Sequence, residues 1–286
     1  MLPYYAMLTL SAVMFGVQFY FNDKYQRKCG NGAYATFLFT FFGSVAAVIA
    51  LSFISGFDFS LTPFAALWAV VVAVNNILFM LCALKSLEKV NLSLFSLFSM
   101  LGGMLLPFLV GIVFYSEPMT LANGICVALV TVALAVTVTK GEGSGGAIYY
   151  VGVFVLNGMC GVLTKIYEDA ELAKVGDASF SLWAAIASTV ICGAALLLLR
   201  KKWEKPSLDS IILGAGGGAL EKIANYFLLI ALSTLPASVQ YPFITGGVMI
   251  ASTLFAYLTP NKPKPRELIA LGISFLGLLA LVLIPI

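Results

Sequence analysis

The chain has 286 residues, of which 61% are hydrophobic and 10% are charged, and its formal net charge is +3. Soluble domains carry about 25% charged residues, so this composition indicates an integral membrane protein. The sequence has no histidine, which removes the commonest catalytic base and metal ligand, and its basic residues form no concentrated stripe with aromatics, which argues against a nucleic-acid partner.

Apolar segments of about 20 residues recur along the chain, and a helix of that length crosses a ~30 Å hydrocarbon core. They predict an all-α integral membrane protein with ten transmembrane helices. The predicted helices cover residues 3–21, 32–54, 64–84, 90–115, 119–139, 147–166, 178–199, 208–232, 236–258 and 266–286. Polar segments separate them, the longest being NDKYQRKCGN, SGFDFSLTP, EDAELAKVGD and RKKWEKPS.

The two halves of the chain resemble each other in sequence. MFGV at residues 14–17 matches MCGV 145 residues later, and FMLCALKSL at 79–87 matches FLLIALSTL 148 residues later. We therefore predict two five-helix repeats, residues 1–140 and 147–286, joined by a glycine-rich linker at 141–146. Because each repeat has an odd number of spans, the second copy is inverted in the membrane.

The basic residues switch phase between the repeats, as inverted copies require. They follow the first and third helices of the first repeat but the second and fourth helices of the second repeat. Thirteen of the 16 lysines and arginines lie in loops after odd-numbered helices. The positive-inside rule places those loops in the cytoplasm and both termini outside.

Two related blocks carry a family resemblance: ALKSLEKVNLSLFSLFSMLGGMLLPFLVGIVFYSEPMT and its echo ALSTLPASVQYPFITGGVMIASTLFAYLTPNKPKPRE. With the ten predicted helices, they resemble the drug/metabolite transporter superfamily in its EamA-like branch, over the whole chain. YSEPMT keeps the family's glutamate at the end of a fourth helix, Glu117, whereas the second block lacks it. The resemblance implies transport of amino acids, other metabolites or drugs. It also implies cytoplasmic termini, so two orientations stay open.

Two adjacent charges, Glu221 and Lys222, interrupt the apolar pattern of the eighth predicted helix. Only 13 residues separate them from Pro236, or about 20 Å of helix, so the pair lies within the membrane. A charge there costs about 2.5 to 3.5 kcal/mol, which indicates a functional site. Adjacent side chains point about 100° apart, so a salt bridge between them is not guaranteed, whereas Asn225 shares a face with Glu221. Either one charge lines a substrate pathway, or both belong to a fixed network.

Further candidate substrate-binding residues lie in other predicted helices. Asn75 and Asn76 lie on the matching helix of the first half, where they could also serve as interhelical contacts. Lys165 either snorkels to the membrane surface or meets an anionic group. The remaining candidates are polar or aromatic residues within spans: Gln18, Asn157, Gln240 and Tyr241. The five cysteines are isolated and are interpreted as core residues, and neither a metal nor another cofactor is predicted.

These features predict a secondary transporter in the inner cell membrane that exports an amino acid or related zwitterion by alternating access. Glu221 is the candidate for proton coupling, and facilitated diffusion or exchange fits the sequence equally well. The alternative is a multidrug or organic-cation exporter, and a remoter one is a non-transporting scaffold or lipid scramblase. An enzyme is not predicted, because the sequence has no histidine, no metal-ligand spacing and no deep carboxylate pair. The expected partners are the substrate and the bilayer, and no oligomer is required.

Overall fold

The computed structural model describes residues 2–115, 121–137, 147–199, 206–232 and 237–283, and this part of the chain is all-helical. Its ten helices are α1 (Leu2–Cys29), α2 (Ala33–Ile54), α3 (Pro63–Lys89), α4 (Leu92–Tyr115), α5 (Leu121–Thr137), α6 (Ala147–Asp169), α7 (Asp177–Leu198), α8 (Leu208–Leu232), α9 (Ala237–Ala256) and α10 (Pro265–Leu283). The all-α prediction is confirmed for these residues. Glu117 and the predicted linker at 141–146 lie outside them.

Helix α1 extends eight residues beyond its predicted end at residue 21, so the prediction was wrong there. Asp23 is buried and bonds to Arg27 one turn later, at 2.8 Å, which stabilises the polar last turns as helix. The helix ends where Gly30 takes the left-handed backbone conformation, with φ at 87°. The Gly30 N–H then bonds to the carbonyl of Gln26, a common way of ending a helix.

Helix α3 also extends further than predicted, to Lys89 rather than residue 84. Its extra turn is amphipathic, because Leu84 and Leu87 are buried among the core residues. At its other end, the Thr62 hydroxyl accepts a bond from the backbone N–H of Ala65, and proline occupies the first helical position. The core therefore continues beneath a segment whose lysines had suggested a loop.

Six helices in the described part of the chain are long and apolar enough to cross a membrane: α1, α2, α3, α4, α6 and α7. Shorter apolar stretches occur within α5 and α9. The protein therefore has the character of a multi-pass membrane protein, as its composition indicated.

The helices pack as two bundles that each combine both halves of the chain. In the first bundle, α8 packs against α1 and α2, and α9 packs against α1. In the second bundle, α3 packs against α6 and α7, and α4 packs against α6. The bundles meet through α2 with α7 and α4 with α9, while α5 packs against α10. Folding thus interleaves the two halves of the chain.

Glycines allow the closest helix crossings within the bundles. A Cβ on Gly218 of α8 would overlap the backbone of Gly43 on α2, and one on Gly214 would lie 3.0 Å from the carbonyl oxygen of Phe39. Glycines four residues apart allow two helices to approach closely, and this contact fixes α8 against α2. In the second bundle, Gly102 of α4 lies against the α6 backbone in the same way.

Candidate functional site

Glu221 and Lys222 lie at the middle of α8, as its 14th and 15th residues of 25. The Lys222 ammonium donates a hydrogen bond to Glu221 Oε1 at 2.8 Å, so the adjacent residues do form the salt bridge that their spacing left open. Burial desolvates the ammonium, yet the two side chains keep 29% (Glu221) and 21% (Lys222) of their surface accessible. A space between the helices, faced by the accessible part of the two side chains, would account for both the desolvation and the remaining exposure.

Asn225 lies on the same face of α8 as Glu221, as the spacing of four residues predicted. Its Nδ2 donates to the backbone carbonyl oxygen of Glu221 at 2.8 Å. The amide therefore contacts the backbone beneath the carboxylate rather than the carboxylate itself.

Asn75 and Asn76 of α3 bond to the facing helix, α6. Asn75 Nδ2 donates to the carbonyl oxygen of Leu156 at 3.0 Å and to the sulfur of Cys160 at 3.1 Å. The Cys160 thiol in turn donates to Asn76 Oδ1 at 3.3 Å. These bonds fix both amides against α6, which is the predicted interhelical role. The two amides and the Cys160 thiol form an uncharged wall of the candidate site.

The Cys160 thiol of this wall lies within electrostatic range of Glu221 and Lys222 on α8, without a hydrogen bond to either. We call the resulting group the polar cluster: Asn75, Asn76, Cys160, Glu221 and Lys222. Every member lies near the midpoint of its helix, including Cys160 as the 14th of 23 residues in α6. The isolated position of Cys160 in the sequence predicts a core cysteine. That shared mid-helix position is the signal that could have singled it out.

Other predicted site residues lie apart from these contacts or on other faces. Asn157 Nδ2 donates to the carbonyl oxygen of Ser99 at 2.6 Å, so it ties α6 to α4. Gln18 is buried on α1, which packs against α8. Lys165 lies five residues beyond Cys160, toward the end of α6. Two further candidates have side chains outside the described part of α9: Gln240 and Tyr241.

Polar contacts also join the helices at both ends of the α2–α3 hairpin. Beyond the end of α2, Asp58 accepts hydrogen bonds from the Ser179 hydroxyl of α7, at 2.7 Å, and from Ser60. The bonds from Ser179 and Ser60 hold the pKa of Asp58 below its ordinary value. At the opposite end, before α2 begins, Asn31 Nδ2 donates to the Glu88 carboxylate near the end of α3. Each end therefore carries a small polar contact, part-buried at Ser179 and exposed at Asn31.

The polar cluster contains both charged and neutral hydrogen-bonding groups. It offers one carboxylate, one ammonium, two amides and one thiol in the interior of the helices. Among the described residues, no group of three histidine, cysteine or acidic side chains has the arrangement of a metal site. Such a set can exchange ion pairs and hydrogen bonds with a small polar solute.

No protein-family model matches this chain, and no curated protein matches it in a sequence comparison. The resemblance to the EamA-like transporters therefore stays a prediction from the sequence.

Proposed function

We propose that the protein is a secondary transporter of a small polar metabolite, an amino acid or related zwitterion, which it exports across the inner cell membrane by alternating access. The observation that carries the proposal is the polar cluster. It places opposite charges and neutral hydrogen-bonding groups at the midpoints of α3, α6 and α8, in a chain whose other mid-helix positions are largely apolar. Polar groups at that depth are costly in a membrane and are typical of substrate pathways.

The pattern of helix contacts supports the predicted inverted repeats. If each helix is exchanged with the one five places away in the chain, each of three major contacts becomes another contact that also occurs. The α1–α8 contact becomes α6–α3, α2–α8 becomes α7–α3, and α4–α6 becomes α9–α1. The α2–α7, α4–α9 and α5–α10 contacts convert into themselves. A pseudo-two-fold relation between two five-helix repeats accounts for this pattern, and many transporters have such a relation.

The location of the polar cluster fits alternating access between the two bundles. Glu221 and Lys222 belong to the first bundle, and Asn75, Asn76 and Cys160 belong to the second. A rocking motion of one bundle against the other would open the cluster to one side of the membrane and then to the other. The contacts at the two ends of the α2–α3 hairpin consist of few hydrogen bonds, one part-buried and one exposed, and are small enough to break in turn.

The proposal is tested by transport and protection measured on the same protein in liposomes. We expect at least one amino acid to show saturable counterflow, and the same amino acid to slow the modification of Cys160 by a cationic methanethiosulfonate reagent. The Cys160→Ser variant is the control, since it removes the thiol whose protection is measured. Counterflow of organic cations without any amino acid flux would favour the multidrug alternative. Lipid scrambling with no solute flux would favour the scramblase.

A further inference from the structure

Glu221 and Lys222 bind each other, and within the described part of the chain the helices packed against α8, namely α1, α2 and α9, bring no other charged residue to their level. Helices α2 and α9 contain no acidic or basic residue. On α1, the Ser11 hydroxyl bonds to the Ala224 carbonyl, which marks the level of the pair, and the first charged residue, Asp23, comes 12 positions later. On α6, the Cys160 thiol lies within electrostatic range of the pair, and Lys165 follows it by five residues. The charges of Glu221 and Lys222 therefore cancel each other at this level of the helices.

Because the charges of Glu221 and Lys222 cancel each other, the pair discriminates among solutes by their charge. A cation that takes Glu221 leaves the Lys222 ammonium buried without a counterion, and an anion that takes Lys222 leaves the Glu221 carboxylate in the same state. An uncompensated charge inside a protein or membrane is strongly unfavourable. A solute with adjacent opposite charges replaces both partners together. The ammonium and carboxylate of an α-amino acid are carried on one carbon, which suits two charges that lie 2.8 Å apart.

We propose that the Glu221–Lys222 ion pair determines specificity, admitting zwitterions and rejecting singly charged analogues, and that it keeps the empty site neutral without a coupling proton. This inference rests on the proposed function. It makes the transport cycle an electroneutral uniport or exchange, because neither the loaded nor the empty site carries a net charge. Glu221 then has no need to take up a proton during the return step, unlike the coupling role that the sequence suggested.

The first test compares charge classes of one solute with the wild-type protein in liposomes. For each amino acid that shows counterflow, its amide supplies the cation and its N-acetyl derivative supplies the anion, both used as competitors. We expect each derivative to compete about tenfold more weakly than the zwitterion or worse. We also expect the initial rate of uptake to be the same with and without an imposed pH gradient.

The second test removes one charge at a time. In Lys222→Gln, the unpaired Glu221 should reverse the preference toward the amide and make the flux sensitive to a pH gradient. In Glu221→Gln, the preference should shift toward the N-acetyl derivative. The reversed pair, Glu221→Lys with Lys222→Glu, should keep the preference for the zwitterion, which protects the test against a single variant that fails to fold. Lys28→Gln, at an exposed end of α1, is the matched control and should behave as the wild type.

Different outcomes would overturn the two proposals. If no amino acid moves in the wild-type protein, the proposed function fails, and this inference fails with it. If amino acids move but their amides compete equally well, the proposed transport function stands and the proposed role of the ion pair is wrong. The same conclusion follows if a pH gradient drives the wild-type flux and Glu221→Gln abolishes that drive.

Discussion

Helix α8 takes part in two lysine–carboxylate pairs whose bond lengths agree but whose surroundings differ. Lys222 meets Glu221 at 2.8 Å in the middle of the helix, and Lys28 of α1 meets Asp209 at 2.9 Å in its first turn. The side chains of the second pair are about half exposed, at 45% and 53%. Water can replace either partner of the outer pair more readily than a partner of the inner pair, whose side chains are only 29% and 21% exposed. Similar geometry therefore occurs in a partly desolvated setting in one place and in an ordinary surface contact in the other.

The largest expected effect comes from breaking the inner pair on one side only. In Lys222→Gln, we expect the free energy of unfolding to fall by about 3 kcal/mol, because a carboxylate is left in the interior without its cation. The measurement is unfolding in mixtures of mild detergent and sodium dodecyl sulfate.

The double variant, Glu221→Gln with Lys222→Gln, is the control for this prediction. It should recover most of the loss, since two neutral amides replace two charges together. A double variant as unstable as Lys222→Gln would mean that the pair does not neutralise itself, and the contrast with the outer pair would disappear.

The sequence predicted the existence and order of the helices well, because apolar runs between polar segments are a strong signal in membrane proteins. It failed at the end of α1, where the Asp23–Arg27 bond extends the helix through a segment that looked like a loop. The cost of polar groups in apolar helices singled out Glu221, Lys222, Asn75 and Asn76 as candidates. It did not single out Cys160, because a cysteine is ordinary in a core and only its bonds to the α3 amides distinguish it.

A second prediction concerns the part of α8 that lies between its two ion pairs. Gly218→Ala places a methyl group against the backbone of Gly43, so α8 must move away from α2, and we expect a loss of about 2 kcal/mol in the free energy of unfolding. Gly272→Ala on α10 is the matched control, because a Cβ there meets no atom within 4 Å. That control should be neutral or slightly stabilising, since alanine favours helix. Equal behaviour of the two variants would show that the α2–α8 crossing does not set the position of the inner pair.

The smallest effect is expected at the outer pair. Lys28→Gln should lower the free energy of unfolding by about 0.5 kcal/mol at low salt, and the difference from the wild type should vanish near 1 M salt, because mobile ions screen an exposed pair. The inner pair lies among desolvated groups, so the loss in Lys222→Gln should persist at the same salt concentration. The two pairs are therefore distinguished by how salt changes the loss in the free energy of unfolding, and not only by the size of that loss. If salt reduced both losses alike, water and ions would reach the middle of α8 as freely as its first turn, and the pair there could not select solutes by their charge.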